Sequence, residues 1–124
     1  MRIRHTIVLP PTPKALARAA ELLASGEVVG MPTETVYGLA ASIASDPALA
    51  RVFEVKERPT FDPLIVHVAA RDARSLERLG ELGLVDLARM TAESRDAATR
   101  LIASFWPGPL TLVLPKNKAI SSAA

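Results

Sequence analysis

Twice in its first half the chain writes the same helix-start signal, and each time a β-rich apolar run follows the helix. In "TPKALARAAELLASG" Thr12 stands as N-cap with Pro13 at the first helical position. Leu16, Ala19, Ala20 and Leu23 then recur at helical spacing, and Gly26 suits the end. In "SDPALARVFEVKER" Ser45 or Asp46 caps, Pro47 occupies the first turn, and Leu49, Val52 and Phe53 share one face. This second helix should end near Lys56 to Arg58, because Pro59 disfavours helical geometry in the residue before it. The runs between and after are "EVVGM", "PLIVHVAA" and "GPLTLVLPK", all read as strands. "PLIVHVAA" is so continuously apolar that a sheet covered on both faces is expected there. "RDARSLERLGELG" and "LVDLARMTAESRDAATRLIASF" read as further helices, with a break around residues 80–84. Helices alternating with apolar strands place the chain in the α/β class.

At 124 residues such a chain can bury a core without staples, so a single domain over 1–124 is expected, with 117–124 a flexible tail. Nearly half the residues are apolar and about a quarter charged, the balance of a globular protein. There is no cysteine, which removes thiolate nucleophiles, disulfides and cysteine-based zinc sites. Two histidines, His5 and His67, are too few for a histidine metal cluster. No apolar run approaches the roughly 20 residues of a membrane helix, so a cytoplasmic protein without a membrane partner is the expectation. The net charge of +2 neither favours nor excludes a nucleic-acid partner. The dinucleotide, P-loop, hydrolase-elbow and zincin motifs are all missing from the sequence.

Three clusters remain in which chemistry could reside. "GMPTETVYGLAA", from Gly30 to Ala41, sets Thr33, Glu34, Thr35 and Tyr37 inside an apolar run, with helix or turn resuming at Gly38. The end of a strand in an α/β sheet is where ligands bind, but Thr33 as the cap of a following helix explains the same letters and is favoured by spacing alone. "VKERPTFDPLIVH" places Lys56 and Arg58 where a helix dipole favours cations in any case. The same pair could hold a phosphate, Lys56 as a compact charge and Arg58 as a planar fork, with Asp62 orienting a cation or a metal-bound water. His67 in "LIVHVA" is either a satisfied core histidine or a ligand for a small carboxylate or hydroxyl. In "FWPGPLTLVLPK" Trp106 is most simply a packing corner, its alternative being a wall for base stacking.

Taken in order and spacing, "MPTETVYGLAA", "KERPTFDPLIVHVA" and "FWPGPLTLVLPK" resemble the YrdC/TsaC-type family of L-threonylcarbamoyladenylate synthases over roughly residues 10–116. The resemblance implies a twisted mixed sheet with flanking helices around a cavity. It also implies formation of threonylcarbamoyl-AMP and diphosphate from L-threonine, bicarbonate and ATP, a nucleotidyl transfer with Mg2+ as companion, serving t6A modification of tRNA. On this resemblance Lys56 and Arg58 are the phosphate-binding and catalytic pair, and Asp62 lies near ATP. Thr35, Tyr37 and His67 contact threonine, and no residue is assigned as a protein metal ligand. The family pattern continues beyond Lys116 with motifs that nothing in the last residues matches, so an incomplete C-terminal part is expected. Other readings are a tRNA- or double-stranded-RNA-binding module, an inactive truncated fragment, and a carbamoyl-adenylate-forming domain of hydrogenase-maturation type. Partner proteins of the t6A pathway belong to the first reading.

Overall fold

A computed structural model describes residues 5–57, 59, 63–69, 72 and 74–120. The chain divides into two compact units, Met1–Arg58 and Pro59–Ala124.

The first unit opens with helix α1, Pro13–Ala24, whose Thr12 hydroxyl accepts from the Ala15 amide. It ends where Gly26 takes a positive φ of 85°, a conformation that costs a residue with a Cβ about 1 kcal/mol or more. Strands β1, Val29–Met31, and β2, Gly38–Ala40, pair antiparallel with Val29 opposite Ala40, Gly30 opposite Leu39 and Met31 opposite Gly38. Helix α1 lies against β1. The expected amphipathic stripe of α1 is not sealed, since Leu16 is exposed and no residue of the helix is fully buried. The hairpin also departs from expectation: β1 is only partly covered, and a strand, not a helix, begins at Gly38.

Helix α2, Asp46–Lys56, is capped by the Ser45 hydroxyl, which accepts from the Ala48 amide. Ala48, Leu49, Val52 and Phe53 are buried at helical spacing. Asp46 in the first turn and Lys56 in the last both complement the helix dipole. The helix stops because Glu57 turns left-handed, with φ 51° and ψ 38°. One ion pair, Arg51 to Glu27 at 2.9 Å, ties the outer face of α2 to the residues leading into β1.

The second unit holds α3, Ser75–Glu81, a short 3-10 turn at Leu87–Arg89, and α4, Ala92–Phe105. Thr91 caps α4 by accepting from the Ser94 amide. Leu76, Ala98 and Ile102 form the buried cluster, against which Leu87, Met90, Trp106, Leu112 and Leu114 pack. Burying a side chain the size of Ile102 contributes about 1.5–3 kcal/mol. After α4 the chain bends through residues 107–109 and runs on without regular secondary structure to Pro115. Asp86 donates its amide to the Pro115 carbonyl at 2.8 Å, and Asn117 donates to Leu84 at 3.1 Å, flanking an antiparallel bridge between Val85 and Lys116.

The α/β class is as expected, with four helices counting only the α-helices and one sheet of two antiparallel strands among the described residues. Two runs read as strands do not join that sheet. Residues 63–69 carry no regular secondary structure, and Ile65, Val66 and His67 are exposed. In 110–114 Leu110, Leu112 and Leu114 are half-buried while Thr111 and Val113 face out. Both runs have β-forming side chains, but β preference reflects packing context and supplies no partner strand. The tail from 117 begins in ordered turns, since Ala119 donates its amide to Asn117 Oδ1 and Ile120 donates to the Asn117 carbonyl.

Candidate functional site

The polar residues of "PTETVY" form the loop of the β1–β2 hairpin. Pro32 follows the last paired residue of β1, and Gly38 is the first of β2. Thr33 is half-buried, while Glu34, Thr35, Val36 and Tyr37 are exposed, Tyr37 at 79%. The loop is organised by the Thr33 hydroxyl. It donates to the Val36 carbonyl at 2.5 Å, accepts from the Thr35 amide at 3.2 Å, and lies 3.3 Å from the Thr35 hydroxyl. Capping of a following helix, favoured by spacing, is therefore overturned: Thr33 bonds forward as a cap would, but the backbone it organises is a hairpin loop. Thr35 and Tyr37 both stand exposed on this one loop.

Lys56 is exposed at the last position of α2. None of the ion pairs seen among the described residues, Arg18–Glu21, Glu27–Arg51, Arg74–Glu77 and Asp96–Arg100, involves it. Its backbone is set by the end of α2 and the left-handed residue Glu57 that follows. Arg58 and Asp62 lie outside the described residues. His67, in the second unit, is exposed within residues 63–69, so the satisfied core histidine is not what the structure holds.

Trp106 resolves to a packing corner. Its indole Nε1–H donates to the Leu110 carbonyl at 2.8 Å, and its ring packs on the Leu76, Ala98 and Ile102 cluster. Its donor is engaged and its ring is half-buried, as a packing corner requires. Among the described residues no three His, Cys, Asp or Glu side chains group so as to hold a metal ion. No helix among them is long and apolar enough to cross a membrane.

The sequence profile of the Sua5/YciO/YrdC family, described as "Telomere recombination", matches residues 21–124. The chain belongs to the Sua5/YciO/YrdC family. Within that family, threonylcarbamoyl-AMP synthase of Pyrococcus abyssi is 43% identical over 102 residues, covering 82% of this chain and 26% of the relative. Threonylcarbamoyl-AMP synthase of Bacillus subtilis is 44% identical over 107 residues, covering 86% and 27%. The crystal structure of P. abyssi Sua5 complexed with L-threonine superposes with a TM-score of 0.66 at 42% identity, over 86% of this chain and 27% of that one. The chain spans about a quarter of the length of these relatives.

Of the two readings the sequence left for Thr33, a hydroxyl presented to ligand or a helix cap, neither describes the loop-organising role that its hydroxyl has here. The signal for that role was the T-x-T spacing, which places one hydroxyl within reach of the amide and hydroxyl two residues on.

Proposed function

We propose that this chain takes part in making L-threonylcarbamoyladenylate and diphosphate from L-threonine, bicarbonate and ATP, the step that supplies t6A modification of tRNA. The reading is carried by the 43% identity to a threonylcarbamoyl-AMP synthase over 82% of the chain. It is supported by the likeness to a Sua5 structure holding L-threonine. The hairpin loop and Lys56 supply residue types that suit the task.

The neutral amine of threonine condenses with bicarbonate, giving a carbamate and releasing water. A carbamate oxygen then attacks the α-phosphorus of ATP, forming the mixed anhydride as the bond to diphosphate breaks. Such a transfer depends on positioning and on neutralising phosphate charge, and needs no covalent nucleophile. Lys56 provides a point charge for the phosphates, Arg58 a bidentate fork, and Asp62 stands near the nucleotide. Thr35, Tyr37 and His67 receive threonine. Mg2+ would accompany ATP and offset its phosphate charge. The setting is the cytoplasm, where tRNA and the proteins of the t6A pathway are the further partners.

The test is diphosphate release from ATP by the purified chain, with threonine and bicarbonate each omitted in turn. Dependence on both, lost in Lys56→Ala and in Arg58→Ala, is expected. Release that ignores threonine overturns the function, and full activity in both variants overturns the residue roles.

A further inference from the structure

The Thr33 hydroxyl has one proton and two lone pairs, and the loop accounts for all three. The Val36 carbonyl oxygen carries no proton, so the 2.5 Å contact commits the Thr33 proton to it. The Thr35 amide, at 3.2 Å, can only donate, and takes one lone pair. The remaining contact, 3.3 Å from Thr33 Oγ1 to Thr35 Oγ1, could run either way if considered alone. With the Thr33 proton already spent it runs one way: Thr35 donates and Thr33 accepts. Thr35 is exposed, so the part of its hydroxyl left for a ligand consists of lone pairs.

We propose that Thr33 is a positioning and specificity-determining residue, which commits the Thr35 hydroxyl to act as a hydrogen-bond acceptor toward ligand. The group that Thr35 meets is then a donor: the amino group of L-threonine or its side-chain hydroxyl. A carboxylate or phosphate oxygen set against the same lone pairs would gain no hydrogen bond and would meet like partial charge. The proposal rests on the reading that Thr35 contacts L-threonine and deepens it by assigning the direction of that contact. It also gives the hairpin loop a reason to carry two threonines two residues apart, one facing the backbone and one facing ligand.

The experiment measures L-threonine affinity calorimetrically with the full chain, in the wild type, Thr35→Val, Thr33→Val, Thr33→Ser and the double valine variant. Thr35→Val and Thr33→Val are each expected to weaken binding about tenfold, as loss of one hydrogen bond to a charged or strongly polar group would. Thr33→Ser keeps the hydroxyl and should bind within about twofold of wild type, and the double variant should be no weaker than Thr35→Val. Two analogues give a readout that simple loosening of the loop would not move. 3-Hydroxybutyrate lacks the amine and 2-aminobutyrate lacks the hydroxyl. In Thr33→Val the preference for L-threonine over one of them should collapse, and that analogue identifies the donor. Equal weakening of all three ligands overturns the directional role. Wild-type affinity in Thr33→Val, with Thr35→Val weakened, overturns it too and leaves the threonine-contact reading standing. Wild-type affinity in Thr35→Val, or no L-threonine binding by the wild-type chain, overturns that reading and the inference with it.

Discussion

The indole Nε1–H of Trp106 donates to the carbonyl oxygen of Leu110 at 2.8 Å, closing a corner of five residues over the buried Leu76, Ala98 and Ile102 cluster. Trp106→Phe keeps most of the ring and deletes the donor, leaving a half-buried carbonyl without its partner. A loss of about 1–2 kcal/mol is expected in denaturant unfolding, with an unchanged slope. A variant as stable as wild type would show that water replaces the indole at no cost.

Gly108 sits inside the same corner. A Cβ built there would lie 2.5 Å from the Phe105 carbonyl oxygen, which is backbone and cannot swing aside. Gly108→Ala should therefore cost about 1–3 kcal/mol. Gly30→Ala is the comparison, since nothing lies within 4 Å of a Cβ there, and it should unfold no earlier than wild type.

Ile102 is 0% exposed at the centre of the second unit. Ile102→Ala is expected to lose about 2–5 kcal/mol, the cost of the removed methyl groups and the cavity they leave. Thermal unfolding followed by circular dichroism reads this directly.

Glu57 holds a left-handed backbone, φ 51°, that glycine adopts without steric penalty. Glu57→Gly should raise stability by a few tenths to about 1 kcal/mol, the relief exceeding the entropy that glycine adds to the unfolded chain. A destabilised variant would mean that the Glu57 side chain holds a contact worth more than the strain.

If Lys56 meets phosphate as a point charge, as proposed, Lys56→Arg should keep a substantial part of the diphosphate-release rate and Lys56→Gln about a tenth of it or less. Equal rates in the two variants would show that charge at this position is not what the reaction uses.

Local signals were the legible part of this fold. Thr12 and Ser45 each cap the helix expected of them, because a capping hydroxyl and a proline at the first turn act within four residues. The left-handed stop of α2 at Glu57 falls where Pro59 pointed. The fate of Ile65 and Val113 was not legible, since an apolar residue states a preference for burial and cannot name what will cover it. Gly38 departs from its expectation for a related reason: Leu39 and Ala40 suit a helix or a strand equally, and pairing with Gly30 and Val29 decided between them. In the candidate site, the sequence placed Thr35 and Tyr37 in one polar cluster and Lys56 at a helix end, and the structure holds them on the hairpin loop and at the end of α2. The central part played by Thr33 required the positions of three other atoms.

The hairpin between Val29 and Ala40 is closed by contacts between near neighbours in the chain. Segments of this kind zip in about 1–10 μs, well before distant parts of a polypeptide find one another. Two strands by themselves persist only marginally in water. The loop bearing Thr33 and Thr35 is thus quick to form and slow to become permanent, waiting on the docking of α1 against β1. Helix α1 then acts as a latch on the residence time of a loop that it does not itself carry. Mutations along that helix should reveal themselves first as faster amide exchange at Val29 to Ala40.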